Sequence, residues 1–316
     1  MKSKSLRIVF MGTPDFAVGV LDKLVSESYH VVGVVTVADK PAGRGKKLRA
    51  SAVKNYALEN KLPILQPIKL QDDDFLQRLE ILKADLFIVV AFRMLPKVVW
   101  KIPKLGTFNL HASLLPAYRG AAPINWAIIN GETETGVTTF FIDEKIDTGE
   151  LILQKKVTIA SCESAGSLHD KLMEKGGELV LETVNLIATA NYKTKKQPEI
   201  AKIKAPKLFK ENTRIDWNQP LKKIYNKIRG LSPFPVAWSK FEMNGDEQTI
   251  KFYHTIPEYT QHQFKIGSIH ATNKTLKIAV KDGFLIIEEL QLSGKRRMDT
   301  KSLLNGFQFS EGAQML

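Results

Sequence analysis

The sequence predicts an α/β fold: a Rossmann-like open, mostly parallel sheet, joined to a small C-terminal β-barrel of the OB-like kind. Three observations predict it. The first half alternates β-rich runs with helical patterns in βαβα order, which selects a parallel sheet with helices on both faces. Residues 31–37 are apolar nearly throughout, as a strand covered on both sides must be. The C-terminal third packs five short strands into roughly 60 residues, with turn residues between them.

The elements follow in order. Residues 6–11, rich in Ile, Val and Phe, read as the first strand. Thr13 as N-cap and Pro14 at the first helical position open a helix to about Glu27. Its apolar face is Phe16, Val20, Leu21 and Leu24. Residues 52–60, 72–82 and 124–130 read as helices, and 84–91 and 106–111 as strands. After Gly136 two β-rich runs, 137–142 and 151–159, flank a turn at 143–150. A long helix is expected over 164–190. The lysines and prolines of 191–206 then mark a linker. A helical segment at 221–229 precedes the five strands, at 237–243, 248–253, 265–271, 275–280 and 284–291. Asn244-Gly245, Asn273 and Asp282-Gly283 supply the turns. The expected domains are therefore 1–190, a linker 191–206, and 207–316.

Composition excludes several classes. The chain has 316 residues, enough to bury a core without staples. Cys162 is the single cysteine, so an intramolecular disulfide framework and a thiolate metal cluster are excluded. No apolar run approaches the roughly 18 residues of a membrane span. The charged start, Met1 to Arg7, is followed by an apolar stretch that Gly12 stops too soon for a signal peptide. A cytoplasmic protein with no membrane partner is expected. The net charge is +13, and residues 201–316 carry eight of those excess charges. A basic excess points to a polyanionic partner, nucleic acid first.

The motifs narrow the chemistry. A dinucleotide fingerprint needs three glycines in the first βα turn, and only Gly12 is there. Gly43-Arg-Gly-Lys-Lys lacks the spacing and the Ser or Thr of a Walker loop. What remains at 38–50 is a flexible loop with Lys40, Arg44, Lys46, Lys47 and Arg49 against Asp39, able to grip a phosphate backbone or simply to be solvated. Strand alternation puts Asn109 and His111 on one face, at the carboxyl end of a buried strand where open sheets place ligands. An amide and an imidazole side by side suit oxyanion stabilisation and proton transfer. Asp143, Glu144 and Asp147 lie in the following turn, and a carboxylate there would favour the charged imidazole. The chemistry leaves Asp143 and Asp147 as alternatives. His30, His169, His254, His262 and His270 show no metal-ligand pairing, so no metal is expected.

Asn109-Leu-His111, Ser113-Leu-Leu-Pro116 with Arg119-Gly120, and Ile146-Asp147-Thr-Gly149 together resemble the folate-dependent formyltransferase family. The opening Phe10-Met-Gly-Thr-Pro-Asp-Phe-Ala, the loop Lys40-Pro-Ala-Gly-Arg-Gly-Lys-Lys, Arg214-Ile-Asp-Trp217 and Ser232-Pro-Phe-Pro-Val-Ala-Trp238 narrow it to the branch that acts on charged tRNA. The resemblance runs from about Leu6 to about Asn305 and implies the following. A formyl group passes from 10-formyltetrahydrofolate to the amine of methionyl-initiator tRNA. Asn109, His111 and Asp147 are the catalytic residues. Ser113, Leu114, Leu115 and Pro116 line the folate site. Arg44, Lys46, Lys47, Lys207, Lys210 and Arg214 contact tRNA. No protein partner is implied, and a monomer is expected. Residues 92–96 depart from the family pattern by one residue and carry Arg93, and Phe234 stands where Trp is usual. The rival readings are a formyltransferase with a small acceptor and a non-catalytic RNA-binding module.

Overall fold

The structure is a computed structural model that describes residues 3–42, 47–200 and 203–316. Its contacts divide the chain into two compact units, neither contiguous in sequence. One gathers residues 1–120, 135–158 and 169–204; the other gathers 121–134, 159–168 and 205–316.

The elements of the first half are β1 (Ile8–Gly12), α1 (Asp15–Ser26), β2 (Val31–Val35), β3 (Lys40–Ala42), β4 (Lys47–Arg49), α2 (Ala52–Glu59), β5 (Ile64–Leu65), α3 (Asp73–Ile81), β6 (Leu86–Val90), α4 (Lys97–Trp100), β7 (Thr107–His111), β8 (Arg119–Gly120), α5 (Pro123–Ile129), β9 (Glu134–Phe141), β10 (Leu151–Thr158) and α6 (Ala165–Thr189). The main sheet has seven strands in the order β10-β9-β7-β6-β1-β2-β5. β1 pairs in parallel with β2 and β6, and β6 with β7. β9 then runs antiparallel to β7. From β1 the chain builds outward to β2 and β5, then returns to build β6 and β7 on the other side. That reversal leaves a crevice at the carboxyl ends of β1 and β6, where open sheets bind ligands.

The apolar strands are buried on both faces, as their lack of alternation requires: every residue of β1, β2 and β6 is buried. Gly12 ends β1 because a Cβ there would lie 2.6 Å from Ala17 Cβ and 3.1 Å from the Val90 carbonyl oxygen. Helix α1 starts one residue later than the sequence suggests. Pro14, not Thr13, occupies the cap, and its carbonyl accepts from Ala17 N at 2.9 Å. Within the basic segment read as a loop, the described ends β3 and β4 pair antiparallel, with Lys40 opposite Arg49 and Pro41 opposite Leu48; residues 43–46 lie outside the described residues.

The second half contains β11 (Lys204–Ala205), α7 (Leu221–Leu231), β12 (Ala237–Met243), β13 (Asp246–Tyr259), β14 (Ile269–Ala271), β15 (Leu276–Val280), β16 (Gly283–Leu292), β17 (Met298–Asp299), α8 (Thr300–Leu304) and β18 (Gln314–Met315). The order β14-β15-β16-β13-β12-β18 curls into a nearly closed antiparallel barrel. Met315 N donates to the Gly267 carbonyl at 2.8 Å and Ile269 N to that of Ala313 at 3.1 Å, bringing the two edges together. Asn244 and Gly245, both at positive φ, make the two-residue hairpin the sequence announces. β18 has only two residues, too few to carry a pattern, and so escapes a sequence reading. The barrel interior holds Phe241, Phe252, Leu276, Ile278, Leu285 and Leu290, all fully buried, with Ile224 and Ile228 of α7 in the same cluster.

Candidate active site

Strand β7 places the first two residues. Asn109 sits opposite Val89 of β6 and Phe140 of β9, and His111 opposite Thr138 of β9. Leu110, pointing the other way, is buried with its Cδ2 against Gly176 of α6, so the register cannot slip without turning the site into the helix layer. Asn109 Oδ1 is buried and has no hydrogen-bond partner among the described residues. His111 is 7% exposed. Its Nε2 lies 2.9 Å from the Tyr118 carbonyl oxygen. A carbonyl only accepts, so Nε2 carries a proton and Nδ1 is the atom left for chemistry.

Nδ1 faces Asp147 Oδ2 at 4.0 Å, beyond direct hydrogen-bonding range but within reach of an ion pair. Asp147 stands at φ +56°, a left-handed conformation uncommon outside glycine. Its Oδ2 accepts from Gly120 N at 3.0 Å. The structure brings Asp147 to His111 and leaves Asp143 outside. Asp143 is exposed and serves its own turn, accepting from Lys145 N at 3.0 Å and from the Thr148 hydroxyl at 2.7 Å. Gly149 is required two residues on, because a Cβ there would fall 1.7 Å from the Phe141 carbonyl oxygen.

The segment 113–116 is held from beneath. Ser113 is fully buried and its hydroxyl donates to the Ala117 carbonyl at 2.7 Å. Leu115 is also buried, and its N–H donates to Thr138 Oγ1 at 3.2 Å, while Gln154 donates to its carbonyl at 2.9 Å. Leu114 and Pro116 are half-buried. Sequence reasoning missed the roles of Thr138 and Gln154, since lone polar residues inside a strand carry no motif. At 92–96, Arg93 donates to the carbonyls of Pro67 and Ile68. Burial pulls its guanidinium below the ordinary arginine range.

Of the basic residues, Arg44 and Lys46 lie outside the described residues, and Lys47 is placed by its backbone alone, in β4. The chain entering β3 is anchored through Asp39, whose carboxylate accepts from Lys54 at 2.6 Å and Gln66 at 2.9 Å. The Lys54 ammonium, then the Gln66 amide, hold that carboxyl below the usual aspartate value. In the other unit, Lys207, Lys210 and Arg214 are exposed. Lys210 Nζ and Arg214 Cζ lie 5.2 and 5.8 Å from the Trp238 ring centre, a cationic cluster on an aromatic face. Arg214 also borders a groove of about 760 Å³ shared with Asp216, Lys265 and Gln314. Among the described residues, no group of three or more His, Cys, Asp or Glu could hold a metal. None of the described helices is long and apolar enough to cross a membrane.

A protein-family model described as "Formyl transferase" matches residues 6–184, and one described as "Formyl transferase, C-terminal domain" matches 207–308. The methionyl-tRNA formyltransferase of Bacteroides thetaiotaomicron is 55% identical over 321 residues, covering 100% of both chains. That of Flavobacterium psychrophilum is 57% identical over 314 residues, covering 99% of each. Among solved structures, the sugar 3N-formyl transferase WlaRD, in the presence of dTDP and 5-N-formyl-THF, has a TM-score of 0.63 at 23% identity over 92% of this chain and 99% of that one. HypX from Aquifex aeolicus, in complex with tetrahydrofolic acid, reaches 0.66 at 21% identity over 95% of this chain and 47% of that one. These two show a shared fold.

Proposed function

The chain belongs to the formyl transferase family, within it to the methionyl-tRNA formyltransferases, and from that premise we propose how its residues move a formyl group from 10-formyltetrahydrofolate to the amine of methionyl-initiator tRNA. The observation that carries the reading is the convergence of Asn109, His111 and Asp147 at the carboxyl end of β7, with His111 Nδ1 the ring atom turned toward the carboxylate.

The neutral α-amine attacks the formyl carbon, and negative charge develops on the formyl oxygen. Asn109 Nδ2 and the imidazolium Nδ1–H donate to that oxygen. The buried Asn109 Oδ1 accepts an N–H of the attacking amine and aims its lone pair. Asp147, its Oδ2 4.0 Å from Nδ1, stabilises the charged imidazole and takes the amine's surplus proton through one water. The carbon–nitrogen bond to the folate then breaks, the folate nitrogen takes up the proton, and tetrahydrofolate leaves. Donors fixed before reaction are worth far more here than in water, because the buried site need not reorganise.

Ser113, Leu114, Leu115 and Pro116 form the folate wall, with Leu114 and Pro116 supplying the half-exposed surface and Ser113 and Leu115 the support. Arg44, Lys46 and Lys47 grip the acceptor arm of the tRNA. Lys207, Lys210 and Arg214 hold its phosphates further along, consistent with their exposure. The protein works in the cytoplasm, as a monomer.

The test is formyl transfer from 10-formyltetrahydrofolate to methionyl-initiator tRNA, glycinamide ribonucleotide and an amino-sugar nucleotide, side by side. Turnover confined to the charged tRNA is expected. Turnover on a small acceptor would keep the three catalytic residues and overturn the reading of the basic segment.

A further inference from the structure

Residues 192–199 fall where the sequence marks a linker, yet they are fastened along the turn that carries Asp147. The Tyr192 ring lies 5.8 Å from that of Phe141. The Thr194 hydroxyl donates to the Glu150 carboxylate. Lys195 and Leu151 exchange backbone hydrogen bonds of 3.0 and 2.9 Å. Gln197 completes the row: its Nε2 donates to the carbonyl of Asp147 at 3.1 Å and to that of Gly149 at 2.8 Å.

The orientation of this amide is fixed by chemistry. The two backbone carbonyls only accept, so they must face the NH₂. On its other side stands Arg119, which only donates, with Nη2 and Nε at 2.7 and 3.2 Å from Gln197 Oε1. Arg119 is itself tied to the segment, through the carbonyls of Pro198 at 2.9 Å and Glu199 at 3.1 Å. The turn so clamped is the one in which Asp147 takes its left-handed backbone. A side chain in that region stays there only where its surroundings over-determine it. From it, the Asp147 carboxylate reaches both Gly120 N and His111.

We propose that Gln197 is a positioning residue: oriented by Arg119, its carboxamide holds the Asp147–Gly149 backbone so that the Asp147 carboxylate faces His111 Nδ1. The proposal rests on the reading of Asp147 as catalytic. Gln197 touches no reacting atom and acts through Asp147 alone.

The variant Gln197→Glu keeps the side chain's shape and its acceptor toward Arg119. It replaces the two N–H donors with an oxygen facing two carbonyl oxygens. The expected result is a fall in kcat of about tenfold, the scale of one or two lost hydrogen bonds, with KM for folate and for tRNA within about twofold. On the Asp147→Asn background the same substitution costs nothing further. A second variant, Arg119→Lys, leaves Gln197 in place but removes the fork that orients it. It should lower kcat a few-fold, again without effect once Asp147 is Asn, so the proposal can be tested even if Gln197→Glu does not fold.

The failures are separable. If Asp147→Asn alone turns over near the wild-type rate, the reading of Asp147 falls and this proposal with it. If Asp147→Asn is impaired while Gln197→Glu and Arg119→Lys match wild type, only the positioning role falls. Equal losses from Gln197→Glu on both backgrounds would also overturn it, because Gln197 would then act elsewhere.

Discussion

His111 commits its Nε2 to the carbonyl oxygen of Tyr118, 2.9 Å away. That one hydrogen bond decides which ring atom can do chemistry. The Tyr118 backbone, at φ +60°, turns its carbonyl inward to make it. The hydrogen that His111 offers to the formyl oxygen must therefore sit on Nδ1, the atom that faces Asp147.

Asn109 Oδ1 is buried without a partner among the described residues, so the fold gives that oxygen no hydrogen bond to make. Asn109→Ala is expected to lower kcat by ~10²–10³ with little change in folate affinity, the usual cost of losing one oxyanion donor. Single-turnover formyl transfer measures it. A rate within a few-fold of wild type would remove Asn109 from the mechanism.

The basic segment predicts a selective defect. Replacing Arg44, Lys46 and Lys47 together by Ala should weaken tRNA binding and leave 10-formyltetrahydrofolate binding untouched. The log–log dependence of tRNA affinity on salt should flatten by about 0.7–0.9 for each phosphate no longer neutralised. Parallel titrations of tRNA and folate across a salt series check both. Equal weakening of the two ligands would point to misfolding instead.

Gly149 is predicted to tolerate no side chain. The Phe141 carbonyl oxygen occupies the space a Cβ needs, at 1.7 Å, and backbone cannot step aside as a flexible side chain would. Gly149→Ala should cost at least ~2 kcal/mol in stability, the range of steric clashes in packed regions. It should also lower kcat by more than tenfold, since the displaced turn carries Asp147. Thermal melting and turnover together test this.

Acid sensitivity should trace in part to Glu178 of α6. Its carboxylate accepts from Lys155 at 2.6 Å and Lys175 at 2.9 Å. Those two ammonium groups, Lys155 first, hold its carboxyl below the ordinary glutamate value. A depressed folded-state pKa stabilises the fold above the unfolded value of about 4.3 and is lost as pH falls through the folded one. Solvent screening limits the pair to about 0.5 kcal/mol. Melting curves of wild type and Glu178→Gln should therefore differ at pH 7 and converge as acid protonates the folded-state carboxyl; a gap that persists once it is protonated would reject the assignment.

The sheet, the long helix and the Asn-Gly hairpin were legible because each leaves a local pattern: unbroken apolar runs, a 3.6-residue period, a turn dipeptide. Asn109 and His111 were legible for the same reason, as alternate residues at one strand end. The choice between Asp143 and Asp147 was not, on spacing alone. Both sit in one polar turn, and what separates them is non-local: the Gly120 N–H that receives Asp147, and the approach of Gly149 to Phe141. Gln197 was hidden for a related reason. Its partners Arg119, Asp147 and Gly149 lie about 50 to 80 residues earlier, and a lysine-rich, proline-bearing stretch carries no pattern that marks docking.

The C-terminal barrel is not a detachable module. Its compact unit borrows residues 121–134 and 159–168 from the middle of the chain. α5 lies so close to α7 that a Cβ on Gly230 would sit 2.7 Å from Ile129, and Asn125 donates to the Gly230 carbonyl at 2.8 Å. The Arg229 guanidinium is buried and donates to the Glu163 carbonyl at 2.9 Å. Cutting the chain at the lysine-rich stretch would thus separate α7 in sequence from its cover and leave that guanidinium only Asn226 of its two acceptors on its own piece. Limited proteolysis there should nick the protein without releasing an independently soluble half, and a gene fragment encoding only the barrel strands should yield aggregate.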